Sequence, residues 1–321
     1  MRWKRAKRYG HIEDRRGQRG GGTFGSSAGR RGTRVGRRVG KRGATGGGLG
    51  IIALALIGYF VFGLDPQAMM QIANQVAAPT QSQGQVQGQG QGQGNVGTPQ
   101  DEMGQFVDAI ISSTTDVWQA EFAADGQTYQ SPNPLVLYEG ATGTQCGTGQ
   151  AAMGPFYCAA DQRIYIDLTF FDELTTRFGA PGDFAQAYVL AHEVGHHLQT
   201  ILGTSAQVRR AQEAAGSEAE ANSYSVALEL QADCYAGVWA QQVDNVTGGD
   251  VALDPGDLEE GRRAAEAIGD DTLQRQARGR VVPDSFTHGT AEQRQTWLLR
   301  GFETGDPDAC DTFAEMERGQ L

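Results

Sequence analysis

The sequence predicts an α+β fold, predominantly helical with a small β-sheet, preceded by a single transmembrane helix. Three observations predict it. Apolar residues recur at three- and four-residue steps over long stretches after position 101, as amphipathic helices require. Two short runs, Leu135–Tyr138 and Arg163–Leu168, are β-branched or aromatic and bounded by turn formers, as strands are. Residues 46–64, GGGLGIIALALIGYFVFGL, carry no charge and have an apolar centre.

The net charge of −11 hides two opposite parts. Residues 1–45 hold fifteen Lys or Arg against Glu13 and Asp14, which leaves twelve basic and thirty-six acidic residues in the remainder. The first part reads as a basic, disordered arm. The apolar run that follows sits at the short end of what spans a bilayer, about 20 residues for roughly 30 Å of hydrocarbon. Positive charge stays cytoplasmic, so the expected arrangement is an uncleaved signal anchor, amino end inside and the rest outside. Membrane lipid is then the partner of the span and of the arm, whose cations suit acidic headgroups. Nucleic acid is not expected as a partner, because the acidic remainder would repel phosphate.

Residues 65–100 include the repeat QSQGQVQGQGQGQGNVG, which has almost nothing to bury and reads as a flexible linker. Residues 101–321 contain all four cysteines and are long enough for one domain. Within it, Phe106, Val107, Ile110, Ile111, Val117, Trp118 and Phe122 mark a helix over 101–125. After the two strands come a short helix over Phe170–Phe178, stopped by Gly179 and Pro181, and a long one from Asp183 as N-cap to Gly203. SYSVALELQADCYAGVWA, residues 223–240, is helical again. The connection from Gly203 to Asn222 is a candidate lid. Cys146, Cys158, Cys234 and Cys310 form an even set without CxxC spacing, which favours disulfides over a zinc ribbon. Of three possible pairings Cys146–Cys158 closes the shortest loop, and the connectivity stays open.

The long helix carries His192-Glu193-Val194-Gly195-His196, an HExxH sequence. Residues four apart share a helix face, so both imidazoles can reach one metal ion while Glu193 approaches a water beside it as general base. One Zn²⁺ per chain suits these ligands, and a catalytic zinc takes three protein ligands. The third is not a downstream histidine at the metzincin spacing, where Gln199 and Leu202 stand instead of Gly and His. Glu229 is the candidate, with Asp233 one turn on to hold the far N–H of a ligand histidine. Glu218 and Glu220 compete less well from a polar Ala/Glu-rich stretch, and His197 reads as a packing residue.

Four segments resemble the bacterial neutral zinc metallopeptidases of the YpfJ type, which are similar to the gluzincin group of HExxH-plus-ExxxD enzymes. They are GPFYC at 154–158, FGAPGDFAQAYVLAHEVGHHLQ at 178–199, LELQADCYAGVW at 228–239 and GRVVPDSFTHGTAEQR at 279–294. The resemblance covers nearly all of residues 101–321 and extends to the layout of arm, span and linker. It implies a zincin-like fold, a membrane anchor and peptidase activity on a peptide or protein substrate. His288, with Arg294 six residues later, is similar to a His…Arg pattern of membrane-associated gluzincins and is the candidate oxyanion donor, with Tyr188 and Tyr235 as alternatives. The Ile164–Leu168 run is the candidate edge strand for aligning substrate. A catalytically silent zinc-binding scaffold at the membrane is the other class of function, and the intact Glu193 speaks against it.

Overall fold

Leu135–Tyr138 (β3) and Arg163–Asp167 (β7) lie side by side in a five-stranded sheet, in parallel, with Val136 opposite Tyr165 and Leu137 opposite Ile166. The structure, a computed structural model, describes residues 1–17 and 94–321. The remaining strands of this sheet are Ile12–Asp14 (β1), Asn95–Val96 (β2) and Phe156–Cys158 (β6), in the order β2-β1-β3-β7-β6. Ala141–Thr144 (β4) and Gly147–Gln150 (β5) form a separate antiparallel hairpin. All four residues of β3 are buried because both faces are covered, as parallel strands require. Leu135 and Leu137 join the main core beneath the helices, while Val136 and Tyr138 meet Cys158 and Tyr165 on the other face.

The helices are Glu102–Ala124 (α1), Thr169–Thr176 (α2), Asp183–Ile201 (α3), Thr204–Ala214 (α4), Glu218–Thr247 (α5), Asp257–Ala267 (α6), Asp270–Arg278 (α7), Ala291–Thr304 (α8) and Thr312–Glu317 (α9). The fold is therefore mostly helical with a small mixed sheet. Helix α5, 30 residues long, is the hub against which α1, α3, α4, α8 and α9 pack. Its start is capped by Ser217, which accepts from Glu220 N, and it ends at Gly248 with φ of 63°. Helix α8 begins with a reciprocal capping box between Thr290 and Gln293.

Two glycine contacts fix how closely these helices approach. A Cβ on Gly301 would stand 1.9 Å from Cys234 O, and one on Gly237 would stand 2.1 Å from Leu298 O, so α5 and α8 meet backbone to backbone. A Cβ on Gly195 of α3 would lie 2.9 Å from Ala232 Cα on α5. Disulfides join Cys146 to Cys158, tying the β4–β5 turn to β6, and Cys234 to Cys310, tying α5 to the C-terminal segment.

The first seventeen residues depart from the expected arm. Trp3 packs edge-on against Phe106 at 5.2 Å, Tyr9 N and Gly10 N donate to the Ser112 hydroxyl and the Asp108 carboxylate, and Ile12 is fully buried. Strand β1 then sits inside the sheet, parallel to β3 and antiparallel to β2. Buried Glu13 accepts from Arg15, Arg163 and Gly94 N. Burial alone would raise its carboxyl, but those donors outweigh it and hold the group at about 2. The basic composition concealed this because Arg15 and Arg16 are consumed locally, the latter by Asp14 and Asp101.

The expected span, 46–64, lies outside the described residues, as do residues 18–45 of the arm and 65–93 of the linker. Among the described residues no helix is long and apolar enough to cross a membrane. One crossing at 46–64 would place β1 and its neighbour β3 on opposite sides of the bilayer, so the expected single-pass arrangement does not go with this sheet. Two smaller expectations also change. Strand β7 is internal, paired on both sides, and the sheet ends at β6. The connection after Gly203 is mostly the helix α4, packed on α3 and α5.

Candidate metal centre

Gly195 decides where the site can form. Its missing side chain lets α3 settle on Ala232, which lies between Glu229 and Asp233 in the sequence, and this brings the two motifs face to face. His192 Nε2 lies 3.2 Å from Glu229 Oε2 and His196 Nε2 lies 3.4 Å from Glu229 Oε1. His192 and Glu193 are buried, and His196 and Glu229 are nearly so.

The other side of each imidazole is spoken for. Asp233 Oδ1 accepts from His192 Nδ1 at 2.8 Å, and Gln199 Oε1 accepts from His196 Nδ1 at 2.9 Å. Gln199 is held in turn, its amide donating to Leu228 O at 2.6 Å and to Gln231 Oε1. Since carboxylate and amide oxygens only accept, both Nδ1 atoms carry hydrogen. Both Nε2 lone pairs of the neutral rings then converge on the Glu229 carboxylate, an arrangement with acceptors on every side and no donor. Positive charge stabilises it, either a metal ion or, without one, a proton taken up by an imidazole. Tetrahedral zinc with bonds of about 2.0–2.1 Å separates its ligand atoms by about 3.3–3.4 Å, and the two histidine–carboxylate separations, each to a different Glu229 oxygen, are close to that. His192, His196 and Glu229 thus fit zinc.

The same demand for positive charge shows in the titration of these groups without metal. Burial lowers His196, but the Glu229 and Glu193 carboxylates outweigh it and raise the imidazole to about 9. Burial raises Glu193, which keeps a proton more readily than an ordinary carboxyl despite the neighbouring histidines. One oxygen of Glu193, Oε2, is buried with no protein partner. A general base needs such an uncommitted oxygen.

Asp233 is wholly buried and fully engaged. Beyond His192 it accepts from the Tyr188 hydroxyl at 2.6 Å and from Arg294 Nε and Nη2 at 2.8 and 2.9 Å. The buried Arg294 guanidinium supplies the charge that keeps Asp233 ionised against its burial. Tyr188 is thus a partner of Asp233, whereas Tyr235 packs against Trp118. His288 lines the same cleft with Nδ1 3.2 Å from Asp270 Oδ1, while its backbone N donates to Asp270 Oδ2 at 2.7 Å. Burial lowers His288, and Asp270 and Glu229 more than compensate. Glu218 and Glu220 lie exposed in the first turn of α5, away from the centre.

A cleft of about 410 Å³ opens over these groups. Its lining includes Pro155 and the edge-strand residues Phe156 and Tyr157, together with Leu273, His288 and Arg294. The preferred candidates from the sequence, His192, Glu193, His196, Glu229, Asp233 and His288, lie in or directly behind this cleft, while the alternatives Tyr235, Glu218 and Glu220 do not line it. Gln199 and Asp270 were missed. The His196–Gln199 spacing of three on one helix could have revealed the first; nothing near His288 in sequence points to the second.

A family model described as "Putative neutral zinc metallopeptidase" matches residues 1–313. The chain is 44% identical over 315 residues to the uncharacterized protein YpfJ of Escherichia coli K12, covering 98% of this chain and 99% of that protein. It is 45% identical over 199 residues to the uncharacterized proteins Mb2605 of Mycobacterium bovis and Rv2575 of Mycobacterium tuberculosis, covering 60% of this chain and 65% of theirs. No solved structure matches.

Proposed function

We propose, on the premise that the chain belongs to the neutral zinc metallopeptidase family, that it hydrolyses peptide bonds with a gluzincin-type centre built on His192, His196 and Glu229. The observation that carries this reading is the convergence of two Nε2 lone pairs and one carboxylate at 3.2 and 3.4 Å on the floor of an open cleft. Bound there, zinc supplies Lewis acidity towards the scissile carbonyl and acidifies the attacking water.

The chain's own residues do the rest. Glu193, next to His192 on the helix, takes the proton of the water through its uncommitted oxygen and returns it to the leaving amine. His288, oriented by Asp270, donates to the carbonyl oxygen as negative charge develops there. Asp233 keeps His192 in one tautomer and one orientation, and Arg294 keeps Asp233 charged. The substrate backbone adds to β6 as a further strand, because β6 ends the sheet and its residues line the cleft.

The two disulfides suit an oxidising compartment outside the cytoplasm. The substrate is a peptide or unfolded protein segment, since the open cleft admits an extended chain. The full chain, with residues 1–17 present, should cleave an unfolded protein, and Glu193→Gln should retain zinc while losing about 10²- to 10⁴-fold in rate. Equal cleavage by the variant would remove Glu193 from the mechanism. Zinc binding without cleavage by either form would favour the silent scaffold.

A further inference from the structure

The third histidine of the sequence HEVGHH does different work from the two that converge on Glu229. His197 is fully buried, and both its ring nitrogens are engaged. Nε2 donates to Gln130 O at 2.6 Å, in the loop that leads into β3. A carbonyl can only accept, so the hydrogen of the neutral ring sits on Nε2, and Nδ1 accepts from the Tyr157 hydroxyl at 3.1 Å. The rings of Tyr157 and Tyr129 meet the imidazole edge-on, at 5.6 and 6.1 Å. Tyr157 is the middle residue of β6, the strand that ends the sheet, and it lines the cleft.

His196 and His197 are neighbours on α3, about 100° apart around the helix. One side chain faces Glu229 and the other reaches the edge strand. The separation between the hydrolytic centre and the strand beside it therefore depends on adjacent residues of one helical turn. β6 is only three residues long and, among the described residues, pairs on one side alone, with β7, so the sheet restrains it weakly. The Tyr157–His197 bond supplies a restraint from the helix side.

We propose that His197 and Tyr157 are positioning residues that hold edge strand β6 at a fixed distance from the hydrolytic face of α3, and so set where an extended peptide lies relative to Glu193. This rests on the peptidase reading for its consequence in catalysis, but its structural part can be tested without turnover. Tyr157→Phe removes only the hydroxyl and keeps the ring contact. His197→Leu removes both polar contacts, and His197→Gln restores a donor for Gln130 O and an acceptor for Tyr157.

The test compares the full-length variants for zinc content, steady-state kinetics on a peptide of at least six residues, and hydrogen exchange of the Phe156–Cys158 amides. Tyr157→Phe and His197→Leu should hold as much zinc as the wild type with kcat little changed, KM rising about fivefold in Tyr157→Phe, as loss of one positioning hydrogen bond implies, and by at least as much in His197→Leu, which loses two. Exchange in β6 should quicken by about the same factor, and His197→Gln should recover most of both losses. Unchanged exchange together with unchanged KM overturns the proposal. So does a fall in kcat alone with β6 protection intact, which would make Tyr157 a group that touches the reacting atoms. A wild type that cuts nothing overturns the peptidase reading instead, and the exchange of β6 still decides the positioning role.

Discussion

Asp233 is the residue on which most of the site converges. It accepts four hydrogen bonds, from His192, Tyr188 and twice from Arg294, and each partner belongs to a different turn or helix. Asp233→Asn keeps an oxygen for His192 but removes the charge that balances Arg294. We expect zinc affinity, measured by competition with a chelator, to fall about 10- to 100-fold, the usual cost of losing a partner behind a ligand histidine. Unchanged affinity would reduce Asp233 to packing. At this scale the sequence was informative because helical spacing is a short-range rule. His192, His196, Glu229 and Asp233 could be placed from steps of four along two helices. Gln199, three residues after His196 on the same helix, was within reach of that rule but was missed, whereas Asp270 was out of reach, since its value depends on which way the ring of a residue eighteen positions away turns, and tertiary packing settles that.

Among the elements, α1 and α3 were legible from period and β3 and β7 from composition between turn formers, within a residue or two at their ends, whereas α5 was legible only over 223–240 of its full Glu218–Thr247. Their neighbours in space were not. β7 looked like an edge strand because it precedes the active helix in sequence, yet β3 and β6 flank it on both sides. Helix α4 was hidden by its polar, Gln- and Arg-rich composition, which leaves Val208 as its one buried residue. The close approach of α5 and α8 was equally invisible, being set by the absence of two side chains. Gly301→Ala should place a methyl group against Cys234 O, which a Cβ would approach to 1.9 Å. We expect about 1–3 kcal/mol of destabilisation or more, since backbone cannot yield as a side chain does. Thermal unfolding would show it as a Tm lower by roughly 2–4 °C per kcal/mol, and an unchanged Tm would mean the helices can part without cost.

At the scale of the whole molecule, the amino end is part of the core. Composition pointed to a disordered arm because fifteen cations in 45 residues look unable to bury anything. The buried residues Trp3, Ala6, Ile12 and Glu13 are too few to register in a composition window, and they act by completing a sheet begun elsewhere. The consequence concerns membrane topology. Residues 1–17 and 94–321 form one body, so both should face the same side of any membrane the chain enters. The disulfides favour the outer side, whereas the basic residues favour the inner. Single cysteines replacing exposed Lys4 and Gln320 in the full chain should react alike with a membrane-impermeant maleimide in intact cells, both labelled or both protected. Labelling of only one would mean that β1 leaves the sheet when the chain is in a membrane.

The central claim, a zinc site of two histidines and one glutamate, is tested most directly by the metal content of the purified full-length chain combined with X-ray absorption at the zinc edge. The account predicts about one zinc per chain, bound by two imidazole nitrogens and a carboxylate oxygen at about 2.0–2.2 Å, and lost in Glu229→Ala. A chain that retains no zinc, or retains it undiminished when Glu229 is replaced, would contradict it.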